Sequence, residues 1–258
     1  MTYWHKQVTD RPLFPEIEWN RPEQKSLAGR LLIVGGNVHG MGAVMQAYEA
    51  ALRSGVGECR VVLPDALKRH IKSAPFECLF VSSTPNGGIS KEALGDIKAY
   101  ASWANGILLI GDTGRNSETA VVMVELLKLD IPTLITRDAV DIARLEAGEW
   151  LNSSNLCVMV TFGQLQKIFQ TVHFPKLLLF SMQLAQLVDT LHKFTITYRC
   201  HIITLHQQHL VVASNGKVST TPCGDSLVLV KGARAATACV GLLQQPTKAF
   251  EVLTNSMR

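Results

Sequence analysis

Four glycines, Gly35, Gly36, Gly40 and Gly42, sit inside the stretch GRLLIVGGNVHGMGAVMQAYEAALRSGVG that spans residues 29–57. An apolar run, Leu31–Val34, precedes them, and a helix-forming stretch rich in alanine, Ala43–Arg53, follows. A strand, a glycine loop and a helix start together place backbone N–H groups where an anion or a substrate can dock. Gly36, Asn37, Gly40 and Gly42 are the expected substrate-loop positions, against the alternative of a plain tight turn. The spacing is neither GxGxxG nor a P-loop, which excludes the dinucleotide and Walker fingerprints. Asp112 and Asp138 lie at or just past expected strand ends, the edge where open α/β sheets bind ligands. The Asp112 carboxylate would repel a phosphate unless a cation intervened. Lys231, Gly232 and Arg234 open the last core helix, where they can hold a phosphate or simply be solvated. His201, His206 and His209 raise the question of a metal. An odd separation puts His201 and His206 on opposite faces of a regular strand, so no metal site is assigned.

Positioning these residues requires a sheet with crossovers. The spacing predicts strands at Cys59–Leu63, Cys78–Ser82, Gly106–Ile110, Pro132–Thr136 and Leu156–Val160. Helices are expected at Pro64–Lys72, Ser90 to about Ala104, Glu118–Leu129 capped by Ser117, Asp138–Glu146, Gly163–Phe169 and Leu177–His192. Strands alternating with helices at this spacing form a parallel, doubly wound sheet with right-handed crossovers. From Thr195 to Thr221 the pattern turns β-rich, and Asn215-Gly216 marks a hairpin. The last helices are Gly232–Leu243 and Thr247–Asn255. Residues 1–28 read as an arm on the domain or on a neighbouring subunit, and 29–258 as one domain.

Composition narrows the class. The chain has 258 residues, 47% hydrophobic and 18% charged, enough for a large buried core. Its net charge of +4 is spread along the sequence, with no basic run of the kind that binds nucleic acid. Six scattered cysteines without a CxxC pair read as reduced thiols of a cytoplasmic protein. The N-terminus lacks a signal-type apolar core, and Gln183, Gln186 and Asp189 interrupt Leu177–Phe194, so no membrane span is expected.

The order of elements and several loops resemble the ribokinase-like superfamily, nearest its ADP/ATP-dependent NAD(P)H-hydrate dehydratase branch, the YjeF C-terminal or carbohydrate-kinase-like domain. GGNVHGMGA is similar to that branch's first glycine loop, and AYEAALRSGVGECRVVLP to its following helix and strand. ILLIGDTGR sits at the GPGLGR position, PTLITRDAV at VLDADAL, and Gly163-Gln164-Leu165 at GE-M. The resemblance covers roughly residues 20–245. It implies a three-layer α/β/α fold, ATP or ADP with Mg²⁺, an NAD(P)H-type substrate and a homo-oligomer. It also implies nucleotide contacts at Gly111, Asp112, Thr113, Gly114, Lys231, Gly232 and Arg234, with substrate contacts extending to Asp138. A small-molecule kinase and a non-catalytic binding paralogue or structural subunit are the alternatives.

The chain departs from the branch where phosphoryl transfer is done. Gly232-Ala233-Arg234-Ala235-Ala236 lies over GGTGD, and the aspartate that would act as base becomes Ala236. Asp225 is the nearest surrogate base, unless it closes an Asx-turn. Thr136 replaces the first aspartate of DAD, Met159-Val160-Thr161 replaces TPH, and His206-Gln207-Gln208 replaces a lysine-glycine strand end. The expectation is weak or lost catalysis on a preserved scaffold.

Overall fold

A computed structural model describes residues 2–71 and 77–258. Its centre is a sheet of β1 (Trp4–Lys6), β2 (Arg30–Gly35), β3 (Glu58–Pro64), β4 (Glu77–Val81), β5 (Gly106–Gly111), β6 (Thr133–Thr136), β7 (Leu156–Val160), β8 (His201–His206), β9 (His209–Ser214) and β10 (Lys217–Pro222). The order is β1-β10-β9-β8-β7-β6-β5-β2-β3-β4. From β4 to β8 every pairing is parallel, and β8, β9 and β10 continue as antiparallel neighbours. The mainly parallel α/β sheet with an antiparallel extension is as expected.

Side-chain alternation splits the core into two layers. Leu31 and Ile33 pack with the helices Gly42–Arg53, Ala233–Gln244 and Ala249–Ser256. Leu32 and Val34 face the other way, onto Leu94–Trp103, Ser117–Leu127, Phe162–Thr171 and Leu184–Thr197. All four β2 residues are fully buried, which is why this strand reads as a continuous apolar run rather than an alternating one.

Several boundaries differ from the sequence expectation, each for a local reason. The long helix runs Leu184–Thr197, not Leu177–His192, because Gln183 and Gln186 form a reciprocal capping box at its start. Leu177, Leu179 and Phe180 therefore precede the helix and stand exposed. Asn116, not Ser117, caps Ser117–Leu127, its side-chain oxygen accepting from the Glu118 N–H at 2.8 Å. Replacing Asn116 with alanine should lower the unfolding free energy by about 1 kcal/mol, read from the denaturant midpoint at unchanged slope. An unchanged midpoint would show that this helix start needs no side-chain cap.

The β-rich tail is a three-stranded meander with two turns rather than one hairpin. Asn215-Gly216 turns as expected, and Gln207-Gln208 turns too, with φ of 46° and 60°. Gln207-Gln208 falls in the HQQH break between two expected strand segments, although glutamine is an unusual occupant of that conformation. Of the Pro64–Lys72 expectation, a single 3-10 turn at Asp65–Leu67 is present, and Lys72 lies outside the described residues.

The N-terminal segment is built into the sheet. Trp4–Lys6 pairs in parallel with Val218–Thr220. Gln7 is buried behind it and donates to the Thr221 hydroxyl at 3.1 Å and the Thr254 carbonyl at 2.7 Å.

Candidate functional site

The parallel strands β5, β6 and β7 end side by side, and a cleft of about 480 Å³ opens above them. Thr136, Arg137, Asp138, Thr161, Gln164 and Lys167 line it together with Asp112, Asp141 and Val230. This is the C-terminal edge of the sheet, where the ends of neighbouring strands leave a crevice.

At the end of β5 the chain turns through Gly111, Asp112 and Gly114, with φ of 83°, 57° and 72°. The turn wraps a carboxylate. Asp138 Oδ1 accepts from the Asp112 N–H at 2.6 Å, and Oδ2 accepts from the N–H groups of Thr113 and Gly114 at 3.0 and 3.1 Å. A Cβ at Gly111 would lie 2.3 Å from Asp138 Oδ1, so the close approach requires glycine. The loop thus cradles an anion, and the anion is its own.

The first glycine loop is similarly closed. Gly36 N–H donates to the Gly111 carbonyl at 2.8 Å, and Asn37 and Gly40 exchange backbone hydrogen bonds at 3.0 and 3.1 Å. Asn37 Oδ1 accepts from the His39 N–H at 2.7 Å, and Asp112 Oδ2 from the Ala43 N–H at 3.3 Å. The expectation of free N–H groups at Gly36, Asn37 and Gly40, and at Asp112–Gly114, is corrected: the chain satisfies them internally. A Cβ at Gly40 or Gly42 would meet open space, so the fold itself makes no demand for glycine there.

Arg137 ties the cleft together. Its guanidinium bridges the Asp112 carboxylate and the Val230 carbonyl. Gln164 Nε2 donates to the Arg137 carbonyl at 2.7 Å and to Asp141 Oδ2 at 2.8 Å. Thr161 and Gln164 form a capping box on Phe162–Thr171, which fixes the Gln164 side chain against the cleft floor. From the sequence this helix was expected to start at Gly163, without use of the T-x-x-Q spacing that signals the box, and neither Arg137 nor Lys167 was singled out. An arginine after a strand carries no motif of its own.

The start of Ala233–Gln244 does not supply what was expected of it. Gly232, at φ 67°, abuts the first turn of Gly42–Arg53, where its Cβ would stand 2.5 Å from the Ala43 carbonyl oxygen. Ala235 and Ala236 point into the core, 1% and 0% exposed. Lys231 Nζ binds Asp225 Oδ2 at 2.7 Å, and Asp225 Oδ1 accepts from the Leu227 N–H at 2.9 Å, an Asx-type closure. These contacts, the Lys231 ammonium first, hold the Asp225 carboxyl below its ordinary range. Arg234 donates to the Ser256 carbonyl at 3.0 Å, and burial lowers its basicity. Asp225, Lys231 and Arg234 line a separate groove with Thr9, Cys223 and Arg258, not the cleft above β5–β7. In this structure the Asp225 carboxylate is therefore paired with Lys231 in a different groove from that cleft.

The histidines fall as parity dictates. His206 stacks on Phe162 at 4.7 Å between ring centroids, and its Nε2 lies 2.8 Å from the Met182 carbonyl. His201 pairs across strands with Cys157, whose side chain belongs to the opposite face. Among the described residues no group of three or more His, Cys, Asp or Glu is arranged to hold a metal ion.

No family model matches the chain. It is 32% identical over 128 residues to a bifunctional NAD(P)H-hydrate repair enzyme of Methanothermobacter thermautotrophicus, a match covering 48% of this chain and 24% of that enzyme. The same-named enzyme of Moorella thermoacetica is 28% identical over 120 residues, covering 45% and 23%. The matched stretch thus spans about a quarter of the length of these curated relatives. Among solved structures, a ribokinase-like superfamily protein from Enterococcus faecalis superposes with a TM-score of 0.74 at 15% identity, covering 99% of this chain and 85% of its own. The ADP/ATP-dependent NAD(P)H-hydrate dehydratase of Bacillus subtilis, co-crystallized with ATP/Mg²⁺, gives 0.61 at 14% identity over 96% and 86%.

Proposed function

We propose that this chain is a divergent NAD(P)H-hydrate dehydratase-like protein that keeps a ligand cleft at the sheet edge and has lost phosphoryl-transfer turnover. The observation that carries this reading is the helix start Gly232–Ala236. It offers no carboxylate, and the position aligned with the base is a fully buried alanine. Three carboxylates of the neighbouring loops are committed elsewhere. Asp138 fills the loop after β5, Asp112 pairs with Arg137 and the Ala43 N–H, and Asp225 pairs with Lys231 outside the cleft. The Asp112–Gly114 amides do not fit a nucleotide phosphate while Asp138 occupies them, so no step of transfer is routed through that loop.

The ligand of this reading is a nucleotide or an NAD(P)H-type molecule, by likeness to the repair enzymes and to the dehydratase crystallized with ATP/Mg²⁺. A cytoplasmic location is part of the proposal and rests on six cysteines that are all free. No helix among the described residues is long and apolar enough to cross a membrane.

The test supplies hydrated NADPH, ATP or ADP, and Mg²⁺, and follows recovery of NADPH absorbance. Loss of a general base removes about 10²–10⁴ in rate. We expect recovery no faster than without protein, while NADPH or ADP raises the melting temperature. Robust nucleotide-dependent recovery would contradict the reading, and its survival in Asp225→Ala would place the base elsewhere in the chain.

A further inference from the structure

Arg137 combines three features that a structural role alone does not require. Its backbone sits at φ 60° and ψ −141°, a region side chains rarely adopt. Its guanidinium is held by an internal carboxylate, Asp112, and by the Val230 carbonyl. Its Nε, and the hydroxyl of the preceding Thr136, are buried without any partner. Thr136 is only 1% exposed, and it lines the cleft. Strained backbone and unpaired buried polar atoms concentrate where a ligand or a conformational change uses them.

Two further groups converge on the same cleft. Lys167 is about half exposed and lies 3.6 Å from Asp141, a loose pair that leaves most of the ammonium's donors available. Gly163 is the second residue of the ten-residue helix Phe162–Thr171, and a Cβ there would stand 4.0 Å from Phe180 Cζ. Two cations and an unpaired hydroxyl thus surround one opening.

We propose that Arg137, Thr136 and Lys167 form an anion subsite that takes a phosphate group of the ligand, and that Asp112 is the internal counter-ion this phosphate displaces from Arg137. The inference rests on reading the cleft as the ligand site. Movement of the guanidinium from Asp112 to the phosphate frees Arg137 Nε to donate, and the phosphate supplies the acceptor that the Thr136 hydroxyl lacks. A carboxylate ligand would exchange for Asp112 one charge for one. A phosphate brings a second charge and three acceptor oxygens, enough for the guanidinium, the ammonium and the hydroxyl together. The site differs from the sequence expectation, which put phosphate on the Gly111–Gly114 loop and on Lys231 and Arg234.

Calorimetric titration of the full chain with inorganic pyrophosphate, without Mg²⁺, tests this. Saturable binding is expected, weakened about tenfold or more in Arg137→Gln and, to a smaller extent, in Thr136→Val. Asp112→Asn should tighten binding about tenfold, because the competing charge is gone. A purely structural Arg137–Asp112 pair gives the opposite sign, with Asp112→Asn weakening binding, and that result would overturn the subsite. Failure of the wild type to bind pyrophosphate would overturn it as well. So would Arg137→Gln binding normally while Lys231→Ala and Arg234→Gln do not. If Asp112→Asn does not fold, by circular dichroism, the Arg137→Gln and Thr136→Val titrations decide. Parallel titration with NADPH separates the two levels. Equal NADPH affinity in wild type and Arg137→Gln rejects the subsite and keeps the cleft, whereas no NADPH binding by wild type rejects the cleft reading itself.

Discussion

Gly111→Ala is expected to lower stability by about 3–5 kcal/mol, a loss out of scale with the single methyl group it adds. Two terms produce it. Position 111 has φ 83°, where an L side chain costs about 1–2 kcal/mol. The new Cβ would also stand 2.3 Å from Asp138 Oδ1, forcing out the carboxylate that accepts the three loop N–H groups. Loss of those charge-assisted hydrogen bonds adds about 2–3 kcal/mol, discounted because the loop is only partly buried. Urea unfolding measures the total. Gly40→Ala is the contrast, expected within about 0.5 kcal/mol of wild type because the space is open and no strain is relieved or added. A double-mutant cycle with Asp138→Ala assigns the mechanism. If the clash is the cause, the double variant loses clearly less than the sum of the singles. Additive losses would leave Asp138 with no part in the glycine requirement.

Acid should destabilise the fold through His201. This side chain is 2% exposed on β8, and burial pushes its pKa down to about 4, partly offset by a hydrogen bond with the Ser154 backbone. A histidine with a depressed folded-state pKa contributes stability above its unfolded value near 6.5 and loses it as pH falls toward 4. Taking 1.36 kcal/mol per unit, the contribution lost across that window is about 3 kcal/mol. Carboxylates titrate in the same range, so the comparison is between wild type and His201→Gln, each unfolded from pH 7 to pH 4.5. The variant, whatever its stability at pH 7, should show the shallower acid slope. Parallel slopes would mean that His201 does not stay neutral as the pH falls.

The scaffold was legible because its signals are redundant. β2 is apolar at every position from Leu31 to Val34, and glycines punctuate both of its neighbouring loops, so strand, turn and helix each had independent support. The boundary errors arose where one side chain decides. Asn116 took the cap from Ser117 by adopting the extended backbone a cap needs, and a Gln183–Gln186 pair moved a helix start by seven residues relative to hydropathy. The site was harder to read, since glycine spacing reports where N–H groups lie and not which acceptor reaches them first. Asp138 was singled out as a ligand contact and proves to be the resident acceptor of the loop after β5. Asp225 and Lys231 share a segment with the helix start, yet pair with each other in a different groove. Arg137 stood outside every motif because its role depends on Asp112 and Val230, 25 and 93 residues away in sequence.

A crystal of the chain soaked for days with ATP, Mg²⁺ and NADPH tests the central claim, a ligand cleft without phosphoryl transfer. The expected map shows a ligand above β5–β7, a phosphate group against Arg137, Thr136 and Lys167, and any bound ATP with its γ-phosphate intact. A γ-phosphate seated at the Gly232–Ala236 helix start beside a repositioned Asp225, or ADP where ATP was supplied, would contradict it.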